Sequence, residues 1–193
     1  MAKQAKQTFA SLAKKRKCAI TLSSLRLNTK MLDDGLRLDP DTFYSLVFET
    51  PTNQGLYGDK FSQFKGLKKG TSDQFVKEIA SELGIEENDV LTFGVFDGKA
   101  KKAITSSTLK AKGERPFLLY KVENGIYGSL FASIRNCLAH GDIIKNGKWY
   151  YLFCLSSGNR KTSDENKKIK FLLKIENPKV LKAFRNVLNR YRG

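Results

Sequence analysis

The dipeptide Asn146-Gly147 constrains the fold more than any other short feature of this chain, because it separates two strand-like runs. These runs cover 142–145 and 148–155, and an Asn-Gly turn between runs that alternate or are continuously apolar is a strong signal for a β-hairpin. A third apolar run, Ile169 to Ile175, follows after a polar loop. We therefore expect a hairpin, or a small antiparallel sheet, in the C-terminal third.

Three segments have the periodicity and end signals of helices. Residues 71–83 and 127–140 place apolar side chains at helical intervals, and a glycine, which is the usual stop signal, follows each of them. Asn177-Pro178 opens a final amphipathic helix. Residues 90–96 are rich in branched and aromatic residues and predict a strand, whereas 117–122 fit either a strand or a helix.

The length and the composition favour one folded domain over residues 1–193. A chain of 193 residues with 40% hydrophobic and 28% charged residues can bury a core of ordinary size. The longest apolar runs, such as 149–155, are far shorter than the ~20 residues that cross a bilayer, so we expect a soluble, cytoplasmic protein without a membrane partner.

The charge of the chain predicts a polyanionic partner. Its 35 basic and 19 acidic residues give a net charge of +16, and its sequence pI of about 9.8 is above the ~9 typical of nucleic-acid-binding domains. Two groups of cations are candidates for RNA binding, one near the N-terminus and one beside the hairpin turn: Lys14, Lys15, Arg16, Lys17, Lys145 and Lys148. The alternative for such runs is a solvated surface without a binding role.

The cysteines give no support to a disulfide framework or a zinc site, because there are three of them, without a CxxC pair or a cluster of histidines. We interpret Cys18, Cys137 and Cys154 as small apolar side chains in a reducing compartment. The sequence therefore predicts neither a metal nor a cofactor.

Residues 135–141 read Arg-Asn-Cys-Leu-Ala-His-Gly, and His140 is the only histidine of the chain. Histidine is the side chain that most readily exchanges protons near neutral pH, and arginine suits a phosphate or the charge of a phosphorane. This pairing points to chemistry on a phosphodiester, with Arg135, Asn136 and His140 as the candidate catalytic residues.

Helix geometry divides these three residues. At ~100° per residue, Asn136 and His140 are about 400° apart and share a face, whereas Arg135 is displaced by about 140° from His140. The guanidinium would have to reach around the helix, the helix would have to unwind near Gly141, or a second copy of the chain would have to contribute part of the site.

Two readings without catalysis remain open. His140 could simply end a helix, where a partly positive imidazole is favourable, while Arg135 binds a neighbouring carboxylate. The chain could also be a non-catalytic RNA- or DNA-binding protein whose basic surface performs the function.

Residues 134–141 resemble the signature of the HEPN superfamily, in which an arginine, a polar residue, a spacer and a histidine follow one another. The resemblance covers roughly residues 115–193, so we treat 116–193 as the motif-bearing part, while residues 1–115 show no alignable motif. It implies an α+β fold with a HEPN-like helical core, a C-terminal β-hairpin or small antiparallel sheet, and a terminal helix.

The resemblance also implies a function. HEPN ribonucleases dimerise so that two motifs face a shared cleft, and they cleave RNA without metal to leave a 2′,3′-cyclic phosphate and a 5′-hydroxyl. On this basis we expect an endoribonuclease that forms a homodimer with a composite active site and acts as a toxin or an antiviral defence effector. An antitoxin or another regulatory partner would accompany such a role.

Overall fold

A five-stranded mixed β-sheet lies at the centre of the computed structural model, which describes residues 8–13, 15–33, 36, 38–49, 72–94, 102–123, 126–157 and 161–191. Its strands are β2 (Val90–Gly94), β4 (Phe117–Val122), β5 (Ile143–Asn146), β6 (Trp149–Leu155) and β7 (Ile169–Ile175). They are arranged in the order β2-β4-β7-β6-β5, in which β2 and β4 are parallel and the other neighbours are antiparallel. Two further strands, β1 (Arg16–Cys18) and β3 (Lys102–Ile104), pair in parallel as a separate small sheet.

Six α-helices are present in the described part of the chain. They are α1 (Phe9–Ala13), α2 (Pro40–Tyr44), α3 (Ser72–Glu82), α4 (Ser106–Lys110), α5 (Ile126–His140) and α6 (Lys182–Arg190). A π-helical turn, Ser45–Glu49, continues α2, and a 3-10 turn, Pro178–Leu181, precedes α6. The three helices predicted from periodicity are thus confirmed with small changes at their ends, and the open segment 117–122 is a strand.

The predicted hairpin is confirmed, but its turn is displaced by one residue. Asn146 pairs with Trp149, so Asn146 is the last residue of β5 and the turn consists of Gly147 and Lys148. Gly147 has a φ of 60°, a left-handed conformation that glycine adopts without strain, and a positive φ at the first turn residue is the requirement of a type II′ turn.

Both faces of the central sheet are covered. Leu118 packs with α3, α5 and α6 on one face, whereas its neighbour Leu119 packs against the segment 18–27 and α4 on the other. Because consecutive side chains of a strand point to opposite faces, a strand buried on both sides must be apolar at nearly every position. The predominantly apolar sequences of β4, β6 and β7 reflect this arrangement.

The prediction of a HEPN-like helical core is wrong. The motif helix α5 contacts β4 and β6, and the core on that face consists of one sheet surface covered by helices. The predicted C-terminal hairpin is not an addition to a helical bundle, since β5 and β6 form one edge of the five-stranded sheet. The buried runs of β2 and β4 require pairing partners, which a purely helical core does not provide. The broader prediction of an α+β fold agrees with the structure.

No helix in the described part of the chain is both long enough and apolar enough to span a bilayer.

Candidate functional site

The motif helix α5 ends in a way that only glycine accommodates easily. His140 is its last residue, Gly141 follows with a φ of 67°, and the Asp142 N–H donates a 2.9 Å hydrogen bond back to the Cys137 carbonyl. This is the pattern of a Schellman C-cap, and it turns the chain directly into β5. The candidate site therefore lies where α5 joins the edge of the sheet. The C-cap fixes the backbone conformation at this junction.

The buried stripe of α5 determines the direction of its polar side chains. Its apolar members are fully or almost fully buried against the sheet: Leu130, Phe131, Ile134, Cys137 and Leu138. Arg135 lies at one border of this stripe and is half-buried, whereas Asn136 and His140 are exposed.

Arg135 is attached to a second element. Its Nε–H donates a 2.9 Å hydrogen bond to the carbonyl oxygen of Val47, a buried residue in the π-helical turn. A π-helical turn has i→i+5 hydrogen bonds in place of the usual i→i+4 bonds, and such turns are frequent at functional sites. Among the described residues, Arg135 makes no ion pair with a carboxylate, so its terminal N–H groups are not neutralised there.

The three predicted catalytic residues all lie on α5, but not on one face. Asn136 and His140 are one turn apart and share an exposed surface. Arg135 is about 140° away around the helix axis and is held towards Val47. The observed helix continues to His140, so the unwinding that would bring the guanidinium towards the imidazole does not occur.

Asp142 adds a carboxylate that the sequence reasoning did not identify. Burial is the main cause that raises the pKa of its half-buried carboxyl group, and the nearby charge of His140 acts in the opposite direction. No hydrogen bond or ion pair joins Asp142 to His140 within the described residues, so the carboxyl group acts on the imidazole through its charge alone. Its position directly after His140-Gly141 was the available signal.

Two exposed aromatic rings lie in or next to the π-helical turn that accepts the hydrogen bond from Arg135. Tyr44 is 58% exposed and Phe48 is 43% exposed, and their ring centroids are 5.2 Å apart. Phe48 follows Val47 in the π-helical turn, so this aromatic pair belongs to the segment that holds Arg135.

The predicted RNA-binding cations fall into two separate groups. Lys14 lies outside the described residues, while Arg16 and Lys17 are on β1, which contacts β2 at one edge of the central sheet. Lys145 and Lys148 lie at the tip of the β5–β6 hairpin, at the opposite edge. Lys15 is exposed beside β1. The structure therefore does not bring the two groups into one patch.

The hairpin cations contact aromatic rings. Lys145 Nζ lies 5.3 Å from the centroid of the Tyr150 ring, and Lys148 Nζ lies 5.0 Å from that of Trp149 and 3.8 Å from a carboxylate oxygen of Glu176. The tip is also remote from the motif, because Lys145 and His140 lie towards opposite ends of β5, a strand of roughly 10 Å.

A buried lysine was also missed. Lys174 is only 5% exposed, and its ammonium lies 4.1 Å from the centroid of the Trp149 ring and donates to the Gly113 carbonyl at 3.1 Å. Burial is the main cause that lowers its pKa, while Glu114, which accepts a hydrogen bond from Trp149 Nε1, acts in the opposite direction. Trp149 therefore packs against protein cations and is itself buried, which removes it as a platform for a nucleobase.

No cluster of three or more His, Cys, Asp or Glu side chains that could hold a metal ion is present within the described residues. A cavity of about 540 Å³ lies between α1, β2 and β3 and is lined in part by Arg16. Its lining does not include Arg135, Asn136 or His140.

Comparisons with known proteins do not assign this chain to a family: no family model, no curated protein and no solved structure matches it. The site must therefore be interpreted from its own geometry and chemistry.

Proposed function

We propose that this protein is a metal-independent endoribonuclease and that RNA is cleaved at the exposed C-terminal turn of α5. The observation that carries the proposal is the shared exposed face of Asn136 and His140, the only histidine of the chain. Histidine can transfer a proton at neutral pH, and an amide one turn away can bind a phosphate oxygen or the imidazole.

The reaction needs no group other than these side chains and the RNA. The 2′-oxygen of a ribose attacks the adjacent phosphorus, the bond from phosphorus to the 5′-oxygen breaks, and a 2′,3′-cyclic phosphate and a 5′-hydroxyl result. His140 accepts the 2′-hydroxyl proton or supplies a proton to the leaving 5′-oxygen. Asp142 is a candidate positioning residue: its carboxyl group interacts electrostatically with His140, and rotation of the two side chains on RNA binding would let it hold the imidazole in one tautomer.

Arg135 would act from a second copy of the chain. Its bond to Val47 and its angular separation from His140 direct the guanidinium away from the imidazole of the same helix. A homodimer in which the Arg135 flank of one protomer meets the His140 flank of its partner would combine both groups at one phosphate. The exposed rings of Tyr44 and Phe48, in or next to the π-helical turn that binds Arg135, would supply apolar surface for such a contact.

The excess of positive charge supports RNA as the substrate. A net charge of +16 raises the local concentration of a polyanion and accelerates its association in a salt-dependent way. A toxin or defence setting, a cytoplasmic location and an antitoxin or other regulator remain parts of the proposal that rest on the motif resemblance alone.

A second candidate is RNA or DNA binding without cleavage. The structural use of the Arg135 Nε–H and the separation of Arg135 from His140 favour it, since neither needs a reaction. In this case exposed cations such as Lys145 and Lys148 would contact phosphates.

One experiment distinguishes the two candidates. The full chain is incubated with RNA in EDTA, and His140→Ala is compared with wild type and with Lys182→Ala, which removes an exposed side chain of a different helix, α6. We expect cleavage by wild type and Lys182→Ala, with cyclic phosphate ends, and a loss of about 10²- to 10⁴-fold in His140→Ala.

Cleavage that survives in His140→Ala, or that requires Mg²⁺, would contradict the proposal. Salt-dependent RNA binding without any product, unchanged in His140→Ala, would instead establish the binding function.

A further inference from the structure

Two cysteine thiols meet inside the protein, next to the motif. Cys137 Sγ on α5 lies 3.1 Å from Cys154 Sγ on β6. The residues are 17 positions apart in the sequence and belong to elements that pack against each other. All three cysteines are free thiols, and Cys18 lies in the core on the other face of the sheet.

We propose that Cys137 and Cys154 form a redox modification site, at which a disulfide reversibly cross-links the motif helix to the central sheet. The partner in this chemistry is a small-molecule disulfide such as oxidised glutathione. The inference goes beyond the proposed function and does not depend on it, since it concerns the oxidation state of the folded chain.

The positions of the two sulfurs set the order of the steps. Cys137 is fully buried, whereas Cys154 is only partly buried, so the oxidant reaches Cys154 first. The Cys154 thiolate attacks one sulfur of oxidised glutathione, a mixed disulfide forms, and a glutathione thiolate leaves. The Cys137 thiolate then attacks Cys154 Sγ and displaces the second glutathione. In total, two protein thiols are oxidised, one glutathione disulfide is reduced and two glutathione thiols are released.

The change in geometry is small. A disulfide requires a sulfur separation of about 2.05 Å, so the two atoms must approach by roughly 1 Å from their present contact. The approach replaces the 3.2 Å hydrogen bond that Cys154 Sγ donates to the Ser133 carbonyl. Burial raises the pKa of the Cys137 thiol, so the resolving step is slow at neutral pH and accelerates as the pH rises.

The bond would anchor the part of α5 that carries the motif. Cys137 directly follows Arg135 and Asn136, and it lies three residues before His140. A cross-link between helix and strand restricts the unfolded chain and also prevents local opening of this turn.

The test uses the full native chain and its three single cysteine variants. Wild type, Cys154→Ser, Cys137→Ala and Cys18→Ser are incubated with oxidised glutathione, and the remaining thiols are alkylated and counted by intact mass under denaturing conditions. We expect wild type and Cys18→Ser to lose two hydrogen atoms without retaining glutathione. The melting temperature should rise by roughly 5 °C, and dithiothreitol should reverse the rise.

Cys137→Ala keeps the accessible thiol and should stop at the mixed disulfide, whereas Cys154→Ser should remain fully reduced at position 137. These two results distinguish the proposed pathway from unspecific oxidation of the cysteines. The mass of wild type shows whether the disulfide forms even if one variant folds poorly. A mixed disulfide that persists in wild type, a bond that involves Cys18, or the alkylation of all three thiols in wild type after incubation and denaturation would overturn the proposal.

Discussion

On one flank of α5, Arg135 is held by a hydrogen bond to the buried Val47 carbonyl, whereas on the other flank Asn136 and His140 project into solvent. Both flanks belong to one short motif, but their side chains are under different constraints. Arg135 contributes to the packing of the π-helical turn against α5, while His140 can be changed with little effect on packing. Adjacent motif residues can therefore divide structural and chemical tasks between them.

Arg135→Ala should produce the largest effect that distinguishes the two flanks. Its loss removes a phosphate ligand, so we expect RNA cleavage to fall by about 10²- to 10³-fold. It also leaves the buried Val47 carbonyl without its donor, which costs about 1–3 kcal/mol of unfolding free energy. Denaturant unfolding and cleavage assays measure the two quantities separately.

His140→Ala is the matched control for stability, because its side chain is exposed at the helix end. Its unfolding free energy should stay within about 1 kcal/mol of wild type. Equal unfolding free energies of Arg135→Ala and His140→Ala would show that the hydrogen bond to Val47 does not stabilise the fold. The proposed division of tasks would then fail.

Asp142→Asn should have smaller effects than these, with a gain in stability and a loss of RNA cleavage. Because burial raises the pKa of Asp142, the folded chain binds this proton more tightly than the unfolded chain, and stability falls as the pH rises above the ordinary value of about 3.9. Asparagine removes this penalty, so at neutral pH we expect a rise in melting temperature of no more than roughly 3 °C.

The same substitution should lower cleavage by about tenfold, since it removes the carboxylate that would orient the His140 imidazole when RNA is bound. Thermal melts between acid and neutral pH, together with cleavage rates, check both parts. Unchanged cleavage would remove Asp142 from the site, and a loss of stability at neutral pH would contradict the role of burial.

The local elements could be predicted from the sequence because their signals are local. The helix at 127–140 has an apolar stripe and a terminal glycine, and the Asn146-Gly147 hairpin has turn chemistry between apolar runs. The architecture could not be predicted in the same way. Whether α5 packs on helices or on a sheet depends on the pairing of β4 with β2 and β7, which are distant in the sequence.

The candidate site shows the same limit. The division between Asn136, His140 and Arg135 follows from the period of a helix and was predicted. The hydrogen bond from Arg135 to Val47 spans 88 positions, and the contact of Cys137 with Cys154 joins a helix to a strand. No short-range sequence pattern predicts either contact. An odd number of cysteines even pointed away from a pair.

In the proposed homodimer, Arg135 and His140 act on one phosphate from different copies of the chain. The most direct measurement mixes two inactive variants, Arg135→Ala and His140→Ala, by co-expression with different tags, and assays RNA cleavage in EDTA. Random pairing makes half of the dimers mixed, and each mixed dimer has one intact site of two, so activity should recover to about a quarter of wild type. A mixture as inactive as its components would contradict a shared site.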